Sequence, residues 1–513
     1  MCERFSVNSI FQVHDRSLIV IFDKTIMKRS VQFFILSISL LGIIFSCEKP
    51  GFIENPDSQL EFSTDTVVFD TIFTTIGSTT ANFRVFNNHN QKILINKLYL
   101  AGDEASKFRL NINGIEGNLI EDITIPANDS IYIFVEVTLD PNNLNDPMVI
   151  QDSVVFEVNG SSQDVDLIAF GQDVHLINGA IIGTTEWLND KPYLVYNSMA
   201  VDTAETLTIH PGTRIHFHRR SSMIVYGSLK VLGSQEEPVS FLGDRLEDHF
   251  DNRAGQWGAY VEFENGGLYL LGGIHFIKGS HDNEIRHAVI KNAIKGIQVD
   301  SMVNIDKPTL ILSHTRIENM TVTGIDARST SILADNCLIA NCGTHCVGLF
   351  LGGAYEFYHC TISNNLASGA RTHPALVLNN FYVYEGQAYV YDLYNALFAN
   401  CIIYGPRQME IELWNTIDDV PVPGDFNYLF DRCLVKVDTL NTDNEDHWLG
   451  ILKNMSPGFD SLGNFSYRLD TLSIAKDSAK IDYARFFPLD LDGNNRLSDD
   501  GPDIGAYERI EEK

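Results

Sequence analysis

Positive charge is scarce in this 513-residue chain: 37 Lys and Arg stand against 67 Asp and Glu, a formal net charge of −30. So acidic a surface repels phosphate backbones and anionic headgroups, which argues against nucleic acid and charged membrane surfaces as partners. Cysteine is sparse as well. None of the 8 residues forms a C-x-x-C pair, so neither a zinc knuckle nor a thioredoxin-like motif is supported. Beyond the first fifty residues no apolar run approaches the ~20 residues of a membrane-spanning helix. Apolar content is plentiful, 44% hydrophobic with 31 Phe and 19 Tyr, which excludes global disorder and supplies two or three cores.

The first residues carry an address. Met27-Lys28-Arg29 is a basic start, and Val31 to Phe45 is an uncharged apolar run, too short to span a bilayer but of signal-peptide length. It ends at Ile44-Phe45-Ser46-Cys47, which resembles a lipobox with Cys47 as the acylated residue. The expectation is an upstream extension plus signal peptide over 1–46, with Met27 as the start, and a lipidated tether over 47–60. Anchoring is then by lipid alone, two or three acyl chains sufficing, at the outer membrane on its surface or periplasmic side. Glu48-Lys49 loosely resembles the charged export signal of Bacteroidota lipoproteins.

Residues 61–176 read as all-β. Ile131, Ile133, Val135, Val137 and Leu139 alternate with Tyr132, Phe134, Glu136 and Thr138, and turn clusters at 87–90 and 126–129 separate such runs. About seven short strands predict a β-sandwich. The stretch resembles the immunoglobulin-like modules that precede β-helices in Bacteroidota lipoproteins, which implies a spacer.

Residues 177–460 repeat. His287 to Asn292, His314 to Asn319, Asn336 to Asn341 and His359 to Asn364 superimpose, with Ile290, Ile317, Ile339 and Ile362 stepping by 27, 22 and 23 residues. One turn of a parallel solenoid has that length, and stacking turns about 4.8 Å apart sets like residues over like. The isoleucines then fill the cylinder, with Cys337, Cys360, Cys401 and Cys433 as small inward neighbours. Cys342 with Cys346 remains open as a disulfide. Asn292, Asn319, Asn341 and Asn364 form an expected amide ladder at a tight turn. The predicted class is all-β: a sandwich followed by a right-handed parallel β-helix, with a C-terminal coil and cap over 461–513. Ser456-Pro457, Phe465 to Leu469, Asp490 to Arg496 and Asp503 to Glu508 resemble the ending of secreted β-helix proteins with the choice-of-anchor Q domain.

Candidate chemistry is thin. Asp490, Asp492 and Asn494 echo the start of a calcium loop, without the twelfth-position glutamate; the alternative is a cap in which the carboxylates accept backbone amides. His216 and His218 share one side of a strand with Arg214 and Arg220, a pattern of a solvated face rather than a zinc site. Of the three motifs of polygalacturonase-like hydrolases only Asn441-Thr442-Asp443 occurs. Tyr382, Tyr384, Tyr389 and Tyr391 lie on a predicted hairpin turning at Glu385-Gly386, either stacking glycan or packing on one another. Three functions stay open: a lipid-anchored protein binding glycan or envelope polysaccharide without catalysis, a divergent polysaccharide lyase or glycoside hydrolase, and a structural envelope or adhesion component.

Overall fold

The computed structural model describes residues 51–510, apart from 75–79, 142–147, 263–267, 301–303 and 366–370. The expected signal peptide and Cys47 lie outside the described residues.

Alternation builds the first unit. In Asp129–Val137 the side chains of Ile131, Ile133, Val135 and Val137 are buried, while Tyr132 and Glu136 are exposed. Ten strands form two five-stranded sheets. One is ordered Glu61–Phe62, Ala81–Asn87, Asp129–Val137, Phe108–Ile112, Ile115–Glu116; the other Thr66–Phe73, Ser161–Gln172, Met148–Val158, Ile93–Leu100, Leu119–Ile125. Pairing is antiparallel except between Thr66–Phe73 and Ser161–Gln172. The sheets enclose a core around Phe83, Leu98, Phe108 and Phe156. Two of the ten, Glu61–Phe62 and Ile115–Glu116, are two-residue strands at the edges of the first sheet.

From His175 the chain winds into a right-handed parallel β-helix of three ladders, joined in one 26-stranded sheet. Ile325–Asp335 passes through the first ladder, turns at Ser329 with positive φ, and enters the second; Leu338–Cys342 belongs to the third. The repeat register is the one the sequence predicts. Ile290, Ile317, Ile339, Ile362, Ile403 and Val435 are consecutive partners in the third ladder and wholly buried. In the second ladder Phe357, Phe398, Phe430 and Trp448 stack nearly parallel at 5.0, 4.9 and 4.4 Å, the spacing of successive coils.

The thiols follow this register. All six cysteines of the solenoid are buried and free, Cys342 and Cys346 included. The backbone N–H of Cys360 donates to Cys401 Sγ and that of Cys401 to Cys433 Sγ, each at 3.4 Å. Burial pushes the thiols of Cys337, Cys346, Cys360 and Cys401 well above the usual range, so they stay protonated.

The asparagine ladder is corrected. Asn292, Asn319 and Asn341 hold the expected left-handed backbone at one turn, but their amides do not chain together. Asn292 Nδ2 donates to the carbonyls of Phe250 and Asp251, and Asn319 Nδ2 to Asn252 Oδ1. Asn341 Oδ1 accepts from Tyr467 Oη, and Asn364 bonds the backbone of Cys342 and Thr344. Asn292 Oδ1 and Asn341 Nδ2 are left without a partner. A loop takes the hydrogen bonds of Asn292 and Asn319, the tail that of Asn341, and the backbone of the neighbouring coil those of Asn364.

The C-terminal segment closes a flank of the solenoid rather than only its last coil. Tyr467, Leu491, Ala506 and Tyr507 cover the outward side chains of Leu338 and Ala340, and Leu469, Ala475 and Ile504 cover Ile402 and Leu434. Within it Arg496, fully buried, donates to Asn336 Oδ1 at 2.8 Å, to Glu508 Oε2 at 3.2 Å and to the Gly505 carbonyl at 3.0 Å.

Candidate functional site

The tail covers the third ladder around Leu338, Ala340, Ile402 and Leu434. The first ladder carries its side chains outward into a different setting. Its strands Ile274–Phe276, Ile297–Val299, Ile325–Asp335, Val347–Tyr358, Leu376–Asn379 and Ile411–Trp414 stack in register. Isoleucine, valine and leucine point inward at alternate positions, so the intervening residues form two outward columns. One reads His275, Gln298, Asp326, Gly348, Val377, Glu412; the other Asp300, Arg328, Phe350, Asn379, Trp414. The ring of Phe350 leans back over Gly348, where a Cβ would have to push it aside.

At one end these columns form a polar network. Lys295 Nζ donates to Asp326 Oδ2 at 2.6 Å and to Gln298 Oε1 at 3.3 Å. Arg328 meets Asp326 with a fork, Nε to Oδ1 at 3.0 Å and Nη2 to Oδ2 at 3.1 Å. Asp300 Oδ2 accepts from Gln298 Nε2 at 2.6 Å and pairs with His275 Nε2 at 2.8 Å. Lys295, Asp326, Gln298 and His275 are buried. Burial disfavours the charge of Asp300, but the His275 bond and the Arg328 charge outweigh it and hold the carboxyl below its ordinary range.

Toward the other end the face becomes aromatic. Arg328, Phe350, Leu351, Asn379, Phe381, Tyr382 and Trp414 line an open groove of about 460 Å³. Trp414 is 44% exposed and Tyr382 41%. The hairpin that brings Tyr382 here is the expected one: Phe381–Tyr384 pairs with Gln387–Val390 across Glu385 and Gly386, both at positive φ. Tyr382 opposes Tyr389 with ring centroids 4.9 Å apart and planes 9° apart, and Tyr391 stacks on Tyr382 at 6.2 Å. Of the four tyrosines, Tyr382 lines the groove, while Tyr384, Tyr389 and Tyr391 stand exposed along the hairpin. Self-packing and groove lining thus coexist.

The other sequence candidates sit apart. Asp490 is saturated: Oδ1 accepts the N–H of Asp492 and Asn494, and Oδ2 the N–H of Glu508 and the Asn494 amide. Asp492 turns away to a two-point pair with Arg468 at 2.6 and 2.8 Å. These residues do not fit a calcium ion; they are the cap. Among the described residues no three His, Cys, Asp or Glu side chains converge as a metal site. His216 is not on a solvated face. The sandwich packs there, Phe73 lying 5.1 Å from the ring, and its Nδ1 bonds the Gly243 carbonyl. His218 pairs with Asp244 at 2.6 Å under a stacked Tyr196. A larger hollow of about 810 Å³ beside Lys278, His281, Lys307 and Tyr394 is edged by exposed side chains, with Lys307 already paired to Asp282.

Sequence reasoning missed Arg328, Phe350, Asn379 and Trp414. The signal was a second repeat one ladder away: Gly296-Ile297-Gln298-Val299-Asp300 over Gly324-Ile325-Asp326-Ala327-Arg328, with three further coils in phase.

A family model described as right handed beta helix region matches residues 272–425. No curated protein matches the chain. Among solved structures, a family 123 glycoside hydrolase from Clostridium perfringens is 7% identical, covering 24% of this chain and 26% of its own, at a TM-score of 0.16. The complex of XylC with xylose is 8% identical over 86% of this chain and 89% of that one, at 0.25. The catalytic unit of a GH87 α-1,3-glucanase from Streptomyces thermodiastaticus is 8% identical over 65% and 74%, at 0.17. Superpositions this loose define neither fold nor activity.

Proposed function

We propose that the chain is an exported protein, held at the outer membrane by lipid on Cys47, whose β-helix binds a glycan chain along the first-ladder groove without turning it over. One observation carries the reading: Trp414, Tyr382, Phe350 and Phe381 converge on an open groove on a rigid coil face. Ring faces offer the flat apolar surface that the C–H face of a sugar covers, and the side chains pay little entropy because the coils and hairpin already fix them. Asn379 between Phe350 and Trp414 supplies an amide for hydroxyl groups. Against catalysis stands the state of the neighbouring carboxylates: Asp326 is held by Lys295 and Arg328, and Asp300 lies below its ordinary range rather than poised near neutrality.

The test is a glycan array followed by reducing-sugar and unsaturated-uronate assays on every glycan retained. Retention without product supports a binding protein. Product release with retention would replace it by a hydrolase or lyase, and an empty array would favour an envelope-structural role.

A further inference from the structure

We infer that this groove selects neutral glycans over acidic ones, and that Asp326 and Asp300 impose the choice by cancelling the charge of Arg328; the inference rests on the glycan reading of the groove. An arginine at the end of an aromatic groove is, taken alone, the clamp a uronate or sulfate would want, because the guanidinium fork matches a carboxylate at two points. Here the fork is occupied from within. Asp326 sits two residues before Arg328 on the same strand, so both side chains leave the same face and the guanidinium lies down on the carboxylate, at 3.0 and 3.1 Å. Asp300, on the preceding coil, lies 3.9 Å from Nε.

The charges close on themselves. Two carboxylates, Asp300 and Asp326, meet two cations, Lys295 and Arg328, with Gln298 joining the halves and His275 on Asp300. An incoming carboxylate finds the Nε–Nη2 edge of the guanidinium already taken and its charge already balanced by Asp326, and taking that edge would leave the buried Asp326 with Lys295 alone. Breaking a buried pair on one side costs more than a rim contact returns. The rest of the groove is uncharged, Glu412 stands two residues before Trp414, and the whole chain carries −30. A polyanion is therefore repelled at long range and unrewarded at contact. A neutral sugar loses nothing, since its hydroxyl groups need donors and acceptors rather than countercharge.

The experiment titrates the full chain by calorimetry at low salt with neutral gluco-, xylo- and manno-oligosaccharides, and with polygalacturonate and alginate oligosaccharides of equal length. The expected result is at least tenfold tighter binding of a neutral series. Asp300→Asn, at a side chain 23% exposed, should move the neutral-to-acidic ratio toward the acidic series by threefold or more, and Asp326→Asn further, each with tryptophan-detected melting to show that it is folded. Acidic oligosaccharides bound as tightly as neutral ones, with Trp414→Ala abolishing both, would overturn the selection while leaving the groove as the glycan site. An unchanged ratio in Asp300→Asn would overturn charge cancellation as its cause. Binding of neither series, or binding indifferent to Trp414→Ala, would remove the glycan reading and this inference with it.

Discussion

Replacing Ile339 by alanine probes the coil stack where its geometry is tightest. The side chain is wholly buried between Ile317 and Ile362, and its Cγ2 lies 2.6 Å from where a Cβ on Gly324 would stand. A Cβ there would meet that methyl and, at the same distance, the Cys346 carbonyl. Truncation removes three buried carbons, a transfer loss of about 2.4 kcal/mol at ~0.8 per carbon. The hole cannot collapse, because ladder hydrogen bonds fix the backbone on both sides, so the cavity brings the total to about 3–5 kcal/mol. Ile339→Val keeps Cγ2 and should cost only about 0.5–1.5 kcal/mol. Urea unfolding followed by tryptophan emission is suited to this, since Trp187, Trp257, Trp414 and Trp448 all lie in the solenoid and the sandwich has none. A loss below about 0.5 kcal/mol for Ile339→Ala would refute the register.

Burial, with Asp503 adding repulsion, pushes Glu508 up to about 9. A raised acid favours the folded state below its unfolded value and loses that support as pH climbs through about 9; melting between pH 7 and 10 should fall more steeply for the wild type than for Glu508→Gln. On the acid side burial lowers His216, His314 and His345 each to about 4. Their neutral forms support the fold above the unfolded value near 6.5, and stability should decline as pH drops from there toward 4; a flat melting profile across that window contradicts it. Palmitate labelling should mark the wild type and not Cys47→Ala, and equal membrane retention of the two would reject the lipid anchor.

Legibility followed direction. Inward residues of the third ladder repeat by type, Ile290 through Ile362 with Cys337 and Cys360 beside them, because one cylinder imposes one shape on every coil, and so the register was readable. The hairpin was readable from Tyr-x-Tyr alternation around Glu385-Gly386. The groove was not: Arg328, Phe350, Asn379 and Trp414 occupy one column yet share no chemistry, since outward positions answer to a ligand or neighbour rather than to the stack. Long-range contacts hid the rest. Nothing local says that Tyr467 reaches Asn341, that Arg496 reaches Asn336, or that Phe73 of the sandwich will bury His216.

Glycan binding in the groove is tested most directly by the affinity of Trp414→Ala for whichever glycan the wild type retains, measured by calorimetry beside its melting curve. Loss of one groove ring should weaken binding by about 1–3 kcal/mol, the scale of an aromatic anchor, with melting nearly unchanged because the indole is 44% exposed. Unaltered affinity in a folded Trp414→Ala protein would contradict the groove as the binding site.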